Sequence, residues 1–438
     1  MQLECSPVNQ TKQGCPTAAI SPAVTFETTE DDNRKEAAGS CPDYFQWIHE
    51  DLRRWKVTGI TSEMVESAKS RADFRLVIVN GRVYIEKYRE VFQTRDLFTW
   101  WGILQLLRKY PGRRRLPDLD LMFSCADKPK IRSSDYQLPN TTTAPPPLFQ
   151  YCGNAWSLAI VFPDWSFWGW PELNIKPWEI MLKEFREANE RKKWIQKEPY
   201  AFWKGNPFTS RSRKNLMKCN SKDQQDWKVR AYAKNWKSEI QQGFKQSDLT
   251  KQCTHRYGIY IEGRGWSVSQ KYVLACDSVT LFVDPQYYDF ITRSLMPMYH
   301  YWPIRGDDMC RAIKFAVDWG NIYKQEAQAI GKAATKFIQE ELKMDYVYDY
   351  MFNLLNEYAK LLKYKPTIPE GAIEFCSETM ACPADGLVKK FMMDSMVKGP
   401  AVTSPCTMPS SFDPPVRQAF LKEKEAILKQ VEEMEKKS

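Results

Sequence analysis

Apolar positions show no order over the first 40 residues, where Pro, Thr and the Glu30-Asp31-Asp32 cluster predict an irregular lead-in. Order begins at Cys41. Tyr44, Phe45, Trp47, Ile48, Leu52 and Trp55 recur at helical spacing. Residues 74–79 (FRLVIV), the Asn80-Gly81 pair and residues 83–85 predict a hairpin. Residues 98–109 (FTWWGILQLLRK) predict a buried helix, stopped by Pro111-Gly112. Residues 119–124 (LDLMFS) predict a strand with Asp127 just beyond it. Residues 128–150, with three consecutive prolines from Pro145, read as loop, and residues 156–162 as another strand. An aromatic stretch (164–178, DWSFWGWPELNIKPW) leads into a charged helix over 178–196. The second half alternates strand and helix. Strands are expected at 200–204, 257–261 and 279–283, with helices starting at 270 and covering 309–319, 326–343 and 346–362. This alternation predicts an α/β fold with a parallel sheet. A Pro- and Cys-rich tail (366–415) precedes a last charged helix over 416–437, and no internal repeat is visible.

Composition narrows the class. A length of 438 residues suggests two or three domains. With 43% hydrophobic and 27% charged residues, wholesale disorder is excluded. The net charge of +9 suits an anionic ligand, yet no basic helix is interleaved with aromatics as nucleic-acid binding would require. No window of 18 apolar residues predicts a membrane span, and the first residues have neither the basic nor the apolar region of a signal peptide. Twelve Cys and three His show no zinc spacing. An even cysteine count and two glycosylation sequons, at Asn9 and Asn140, point to disulfides in an oxidising lumen. An N-terminal anchor outside this chain would reconcile that compartment with the missing signal.

Candidate chemistry lies past strand ends, where α/β sheets bind ligands. The turns WKGNPFTSRSR (203–213) and IEGRGWSVSQK (261–271) both follow strands. Their exposed backbone N–H groups, Ser267, Ser269 and the cations Lys204, Arg211, Arg213, Arg264 and Lys271 suit a diphosphate. Neither turn is a Walker A or a dinucleotide fingerprint, and such turns are also ordinary structure. Asp127 is placed to serve as a general base or merely to cap a turn. Asp118 and Asp120 form a DxD, the spacing of a metal-holding motif, which strand alternation explains equally well. The tryptophans of 164–178 could stack on sugar faces or form an interdomain core.

Six ordered blocks carry a resemblance across residues 41–365. They are CPDYFQWIHEDL (41–52), LPDLDLMFSCADKP (116–129), FPDWSFWGWPE (162–172), EPYAFWKGN (198–206), YIEGRGWSVSQKYVLACDS (260–278) and KMDYVYDYMFNLLNEYAKLL (343–362). The chain resembles plant members of glycosyltransferase family 90, the capsule-associated-protein type that includes the Rumi-like animal protein O-glucosyltransferases. The resemblance implies a GT-B fold, two Rossmann-like domains facing a cleft, with a C-terminal helical tail. It implies a lead-in over 1–40, an acceptor domain over 41–190, a UDP-sugar donor domain over 191–365 and a tail over 366–438. It implies an inverting, metal-independent transfer of glucose or xylose from UDP-glucose or UDP-xylose, with no further cofactor. The acceptor would be a hydroxyl of a glycoprotein or a cell-wall polysaccharide, in the Golgi or ER lumen.

Carried over by position, the catalytic carboxylate falls on Asp127. The donor site falls on Asn206, Arg213 and the loop Arg264, Gly265, Trp266, Ser267, Val268 and Ser269. The acceptor side falls on Trp168, Trp170, Pro171, Glu172 and Asn174. Cys253 and Cys276 match a family disulfide. Ser269 stands where Rumi-like enzymes place an Arg that helps neutralise the diphosphate, so Arg264 or Lys271 would have to supply that charge. The chain ends in Glu-Lys-Lys-Ser, with no KDEL-type tail to support ER retention. The rival readings are a non-catalytic sugar- or UDP-binding protein on the same fold, and a metal-dependent transferase using Asp118 and Asp120.

Overall fold

The computed structural model describes residues 3, 5, 15–16, 39–112, 115–136, 144–220, 225–245 and 247–437. Both sequons and most of the lead-in lie outside these residues. Strands β1 (Phe74–Val79), β2 (Arg82–Lys87), β3 (Leu119–Ser124), β4 (Leu148–Gln150) and β5 (Ile160–Val161) build a first sheet. Strands β6 (Glu198–Gly205), β7 (Val229–Ala233), β8 (His255–Ile261), β9 (Val279–Val283) and β10 (Trp302–Ile304) build a second. Strand β11 (Ile373–Phe375) returns from the tail to the first sheet, whose order is β11-β2-β1-β3-β4-β5.

The two sheets differ in kind. The second, ordered β10-β9-β8-β6-β7, is parallel throughout, as the strand–helix alternation predicts. The first is mixed: β1 runs antiparallel to β2 and to β3, while β3, β4 and β5 are parallel. The reason is local. Asn80 and Gly81 take φ of 53° and 76°, and a two-residue turn with both central residues at positive φ can only join antiparallel strands.

Several expected bounds shift. The end of the expected loop 128–150 is β4, and the strand expected at 156–162 shrinks to two residues, because β4 offers it only two pairing partners. The helix Arg95–Lys109 begins three residues before Phe98 and is buried on most of its surface. It is therefore covered by the sheet, the aromatic block and the tail together. Helix Met344–Leu361 also packs on the first sheet, with the Tyr358 hydroxyl donating to the Asp120 carbonyl at 2.9 Å. The last helix, Pro414–Lys436, spans both halves. Arg417 pairs with Glu50 in the first, and Glu432 meets Arg305 at 3.3 Å in the second.

Ten cysteines pair among the described residues. Cys5–Cys382, Cys15–Cys376 and Cys41–Cys406 tie the lead-in to the tail, and Cys219–Cys310 and the expected Cys253–Cys276 lie in the second half. One cross-link over 365 residues constrains the unfolded chain by on the order of 5 kcal/mol. The other two close nearly the same loop, so each adds far less. Cys125 and Cys152 are buried thiols. No helix among the described residues is long and apolar enough to cross a membrane.

Candidate functional site

Every side chain of β3 is buried, so the chain can present a polar group to solvent only after it leaves the sheet. Asp127 does so, with its side chain 32% exposed. Its Oδ1 accepts from Arg95 Nη1 at 2.8 Å. Arg95 stands in the first turn of its helix, where the dipole disfavours a cation. It is held there by the Cys125 carbonyl at 3.1 Å and by the Trp165 ring, whose centroid lies 4.5 Å from the guanidinium carbon. One carboxylate oxygen is thus fixed, and Oδ2 has no protein partner among the described residues.

Across from Asp127 stand the two turns that end β6 and β8. Asn206 Oδ1 accepts from the Phe208 amide at 2.9 Å, shaping the short turn 207–209. Ser210 caps helix Arg211–Lys218, accepting from the Arg213 amide at 3.2 Å. That cap aims Arg213 at the second turn. Its guanidinium donates to the Ile261 carbonyl at 3.0 and 3.3 Å, to Thr209 Oγ1 at 3.1 Å, to Ser267 Oγ at 3.2 Å and to the Asn206 carbonyl at 3.5 Å. Burial lowers its pKa, opposed by the nearby Tyr260, Glu262 and Asp127. Its partners are neutral oxygens, so the buried positive charge has no carboxylate ion pair among the described residues. Such a charge suits an incoming diphosphate.

The 264–269 loop completes the arrangement. Gly265 packs so closely on Asp127 that a Cβ there would lie 2.1 Å from the Asp127 carbonyl oxygen. Only glycine permits this approach. Trp266 comes from the second half but buries its ring among first-half residues, 6.0 Å from both Tyr151 and Trp165. Ser267 and Ser269 hydroxyls stand 3.0 Å apart, and Val268 precedes the helix Ser269–Leu274. Arg264 is exposed. Lys271 is a correction to the diphosphate cluster. It is buried, with Nζ 2.7 Å from Asp164 and 2.9 Å from Ser166 Oγ, so its charge is neutralised inside the aromatic block. Of the two residues considered to replace the missing Arg, Arg264 alone remains accessible.

The acceptor-side residues divide. Trp168 is 0% exposed and donates its indole N–H to the Tyr348 hydroxyl at 3.0 Å. Its ring fills a slot over Gly102, where a Cβ would come within 2.6 Å of it, so a sugar has no face of Trp168 to stack on. Trp170 is buried edge-on to Trp165 and donates to Gln93 Oε1 at 2.9 Å. Pro171 is buried in the turn 171–173, which Asn174 ends in the left-handed region. Glu172 is half-buried and accepts from Thr94 Oγ1 at 3.0 Å. Trp170 and Glu172 therefore support the segment that carries Arg95.

The DxD is structural. Asp118 accepts from the Asn80 amide at 2.8 Å. Asp120 is fully buried, takes both Arg75 nitrogens at 2.8 and 2.6 Å, and accepts from the Tyr364 hydroxyl at 2.8 Å. Its lone pairs are committed to Arg75 and Tyr364. Asp120→Ala should destabilise the fold by about 3 kcal/mol, the low end for a broken buried pair because Arg75 is partly exposed. Thermal unfolding checks this; an unchanged midpoint would refute the ion-pair assignment.

Arg95 escaped sequence reading. Its one signal was a cation at the start of an otherwise apolar helix, against the helix dipole.

A parallel sheet whose two Gly-containing turns enclose the buried Arg213, beside a mixed sheet whose β3 leads to Asp127, defines a two-sheet α/β protein. The sequence model of the glycosyl transferase family 90 matches residues 36–435, and the chain belongs to that family. By class it is a UDP-sugar glycosyltransferase. Its relatives include an O-glucosyltransferase rumi homolog of Anopheles gambiae, 27% identical over 337 residues, covering 74% of this chain and 80% of that protein. Protein O-glucosyltransferase 1 of Rattus norvegicus is 26% identical over 348 residues, covering 75% and 82%. The O-glucosyltransferase rumi of Drosophila melanogaster is 25% identical over 337 residues, covering 74% and 78%.

Proposed function

We propose that the chain moves glucose or xylose from a UDP-sugar to a hydroxyl of a glycoprotein or cell-wall polysaccharide, with inversion and without a metal. Asp127 takes the acceptor proton as that oxygen forms its bond to the anomeric carbon. The bond from that carbon to the phosphate oxygen breaks, and its electron pair leaves with UDP. Arg213, Asn206 and the 264–269 loop hold the diphosphate as its charge grows. The observation that carries this reading is the contact of Gly265 with the Asp127 carbonyl, which joins the phosphate-type loop to the carboxylate. The two halves are read as the acceptor (41–190) and donor (191–365) domains of a GT-B enzyme. The relatives' names favour glucose. The paired cysteines favour the lumen of the Golgi or ER.

The test is release of UDP from UDP-glucose and UDP-xylose by the disulfide-intact chain, with and without EDTA. Slow hydrolysis of one donor, insensitive to EDTA, is the expected outcome. Activity abolished by EDTA would overturn the metal-free mechanism.

A further inference from the structure

We infer that Glu262 is a positioning residue whose carboxylate anchors segment 286–288 and so sets the donor loop against Asp127. The inference rests on the donor-site reading above. Glu262 follows β8 directly and is only 9% exposed. Its Oε1 accepts from the Tyr287 amide at 2.9 Å and its Oε2 from the Gln286 amide at 3.0 Å. One carboxylate thus clamps two consecutive backbone N–H groups, a task for which an ionised acid has two equivalent acceptors and an amide one.

The clamped segment leads to the first half. The next residue, Tyr288, exchanges two backbone hydrogen bonds with Gly153 of the first half, at 2.9 and 3.0 Å. Gly153 lies so close under the Tyr288 ring that a Cβ would stand 2.7 Å from it. Its neighbour Cys152 donates its thiol to the Asp127 carbonyl at 3.4 Å. The other route from Glu262 is shorter: three residues on, Gly265 meets the same carbonyl. Both routes out of Glu262 end on the backbone of Asp127.

The groups facing Glu262 are Arg213 from helix Arg211–Lys218, Asp284 and Tyr287 from the loop after β9, Tyr260 on its own strand and Cys152 from the first half. Burial, with Asp284, pushes its carboxyl up to about 7, against the two amides and Arg213. A carboxyl raised above its ordinary value binds its proton more tightly in the folded state. Its contribution to stability therefore falls as pH rises from the ordinary carboxyl range towards 7. The charged form is costly, and its use is the second acceptor. Protonation turns one oxygen into a donor and leaves one of the two amides without a partner.

The test compares wild type, Glu262→Gln and Gly153→Ala for UDP-glucose hydrolysis and for UDP binding by calorimetry, across pH 5.5 to 8.5. Glu262→Gln should lower kcat about 10- to 100-fold, the scale of a small misplacement of reacting groups, and leave the UDP Kd within about threefold. It should be no less stable than wild type at pH 8, where a merely structural residue would cost stability. It should also lose the wild-type fall in kcat below about pH 7. Gly153→Ala, which disturbs the far end of the clamp, should repeat the kcat loss. A wild-type kcat and pH profile in Glu262→Gln would overturn the inference, as would weakened UDP binding with kcat unchanged. Wild-type protein that neither binds UDP nor releases it overturns the donor reading, and this inference with it.

Discussion

Replacing Asp127 by Asn should reduce sugar transfer by about 10²- to 10⁴-fold, the range a positioned general base contributes, while UDP binding survives. The amide keeps the shape of the carboxylate and can still accept from Arg95 Nη1, whose bond to Asp127 is 2.8 Å long. Only the capacity to take a proton is removed. Stability should change by no more than about 1 kcal/mol, since a third of the side chain faces solvent and screens the pair. UDP affinity should stay level or rise slightly, because a negative charge near Arg213 and the diphosphate is gone. The measurement is single-turnover transfer or donor hydrolysis beside calorimetry on the same preparation. Transfer at the wild-type rate would remove Asp127 from the base role. Loss of UDP binding together with activity would instead mean that the carboxylate shapes the donor loop.

The second large effect is expected at Arg213. Arg213→Ala should weaken UDP binding by about 2–3 kcal/mol, roughly 30- to 150-fold, the scale of hydrogen bonds to a charged group. The guanidinium joins both turns, reaching Thr209 and Asn206 on one and Ile261 and Ser267 on the other. The alanine variant therefore loses the cation and the tie that orders Ser267. Arg213→Lys should restore the charge without the fork, and so recover only part of the affinity. Unchanged affinity in Arg213→Ala by calorimetry would refute the diphosphate role.

Much of the architecture was legible along the chain, for local reasons. The Asn80-Gly81 hairpin follows from backbone preference at two residues. The parallel second sheet follows from strands too far apart for hairpins, joined by helices. What escaped were elements whose partner defines them. β10 and β11 are three residues each and exist as strands because β9 and β2 offer an edge. β7 (VRAYA) is buried at only two positions, too few for a clear alternation.

The candidate site divides the same way. Asp127 and the two Gly-containing turns were visible because they follow strand ends, where α/β proteins bind ligands. The fates of the charged and aromatic residues around them were not visible. Lys271 and Arg213 look alike in sequence. One is neutralised by Asp164, 107 residues away, and the other is buried among neutral oxygens. Trp168 and Trp266 both sit in tryptophan-containing motifs, and both turn out to be packing.

By itself, the sequence determined the longer secondary elements, the α/β class, the disulfide-forming character of its cysteines and the short segments where a ligand could meet backbone N–H groups. These depend on side-chain periodicity, turn residues and composition, which act over a few positions. The tertiary structure alone decided which carboxylate is held by Arg95 across 32 residues, which DxD aspartate is consumed by Arg75 across 45, and that Gly265 lets the 264–269 loop touch Asp127. Those outcomes depend on distances through space between residues far apart in the chain. An ion pair or a backbone contact forms only where packing brings its two members within a few ångströms, and no local pattern encodes that meeting.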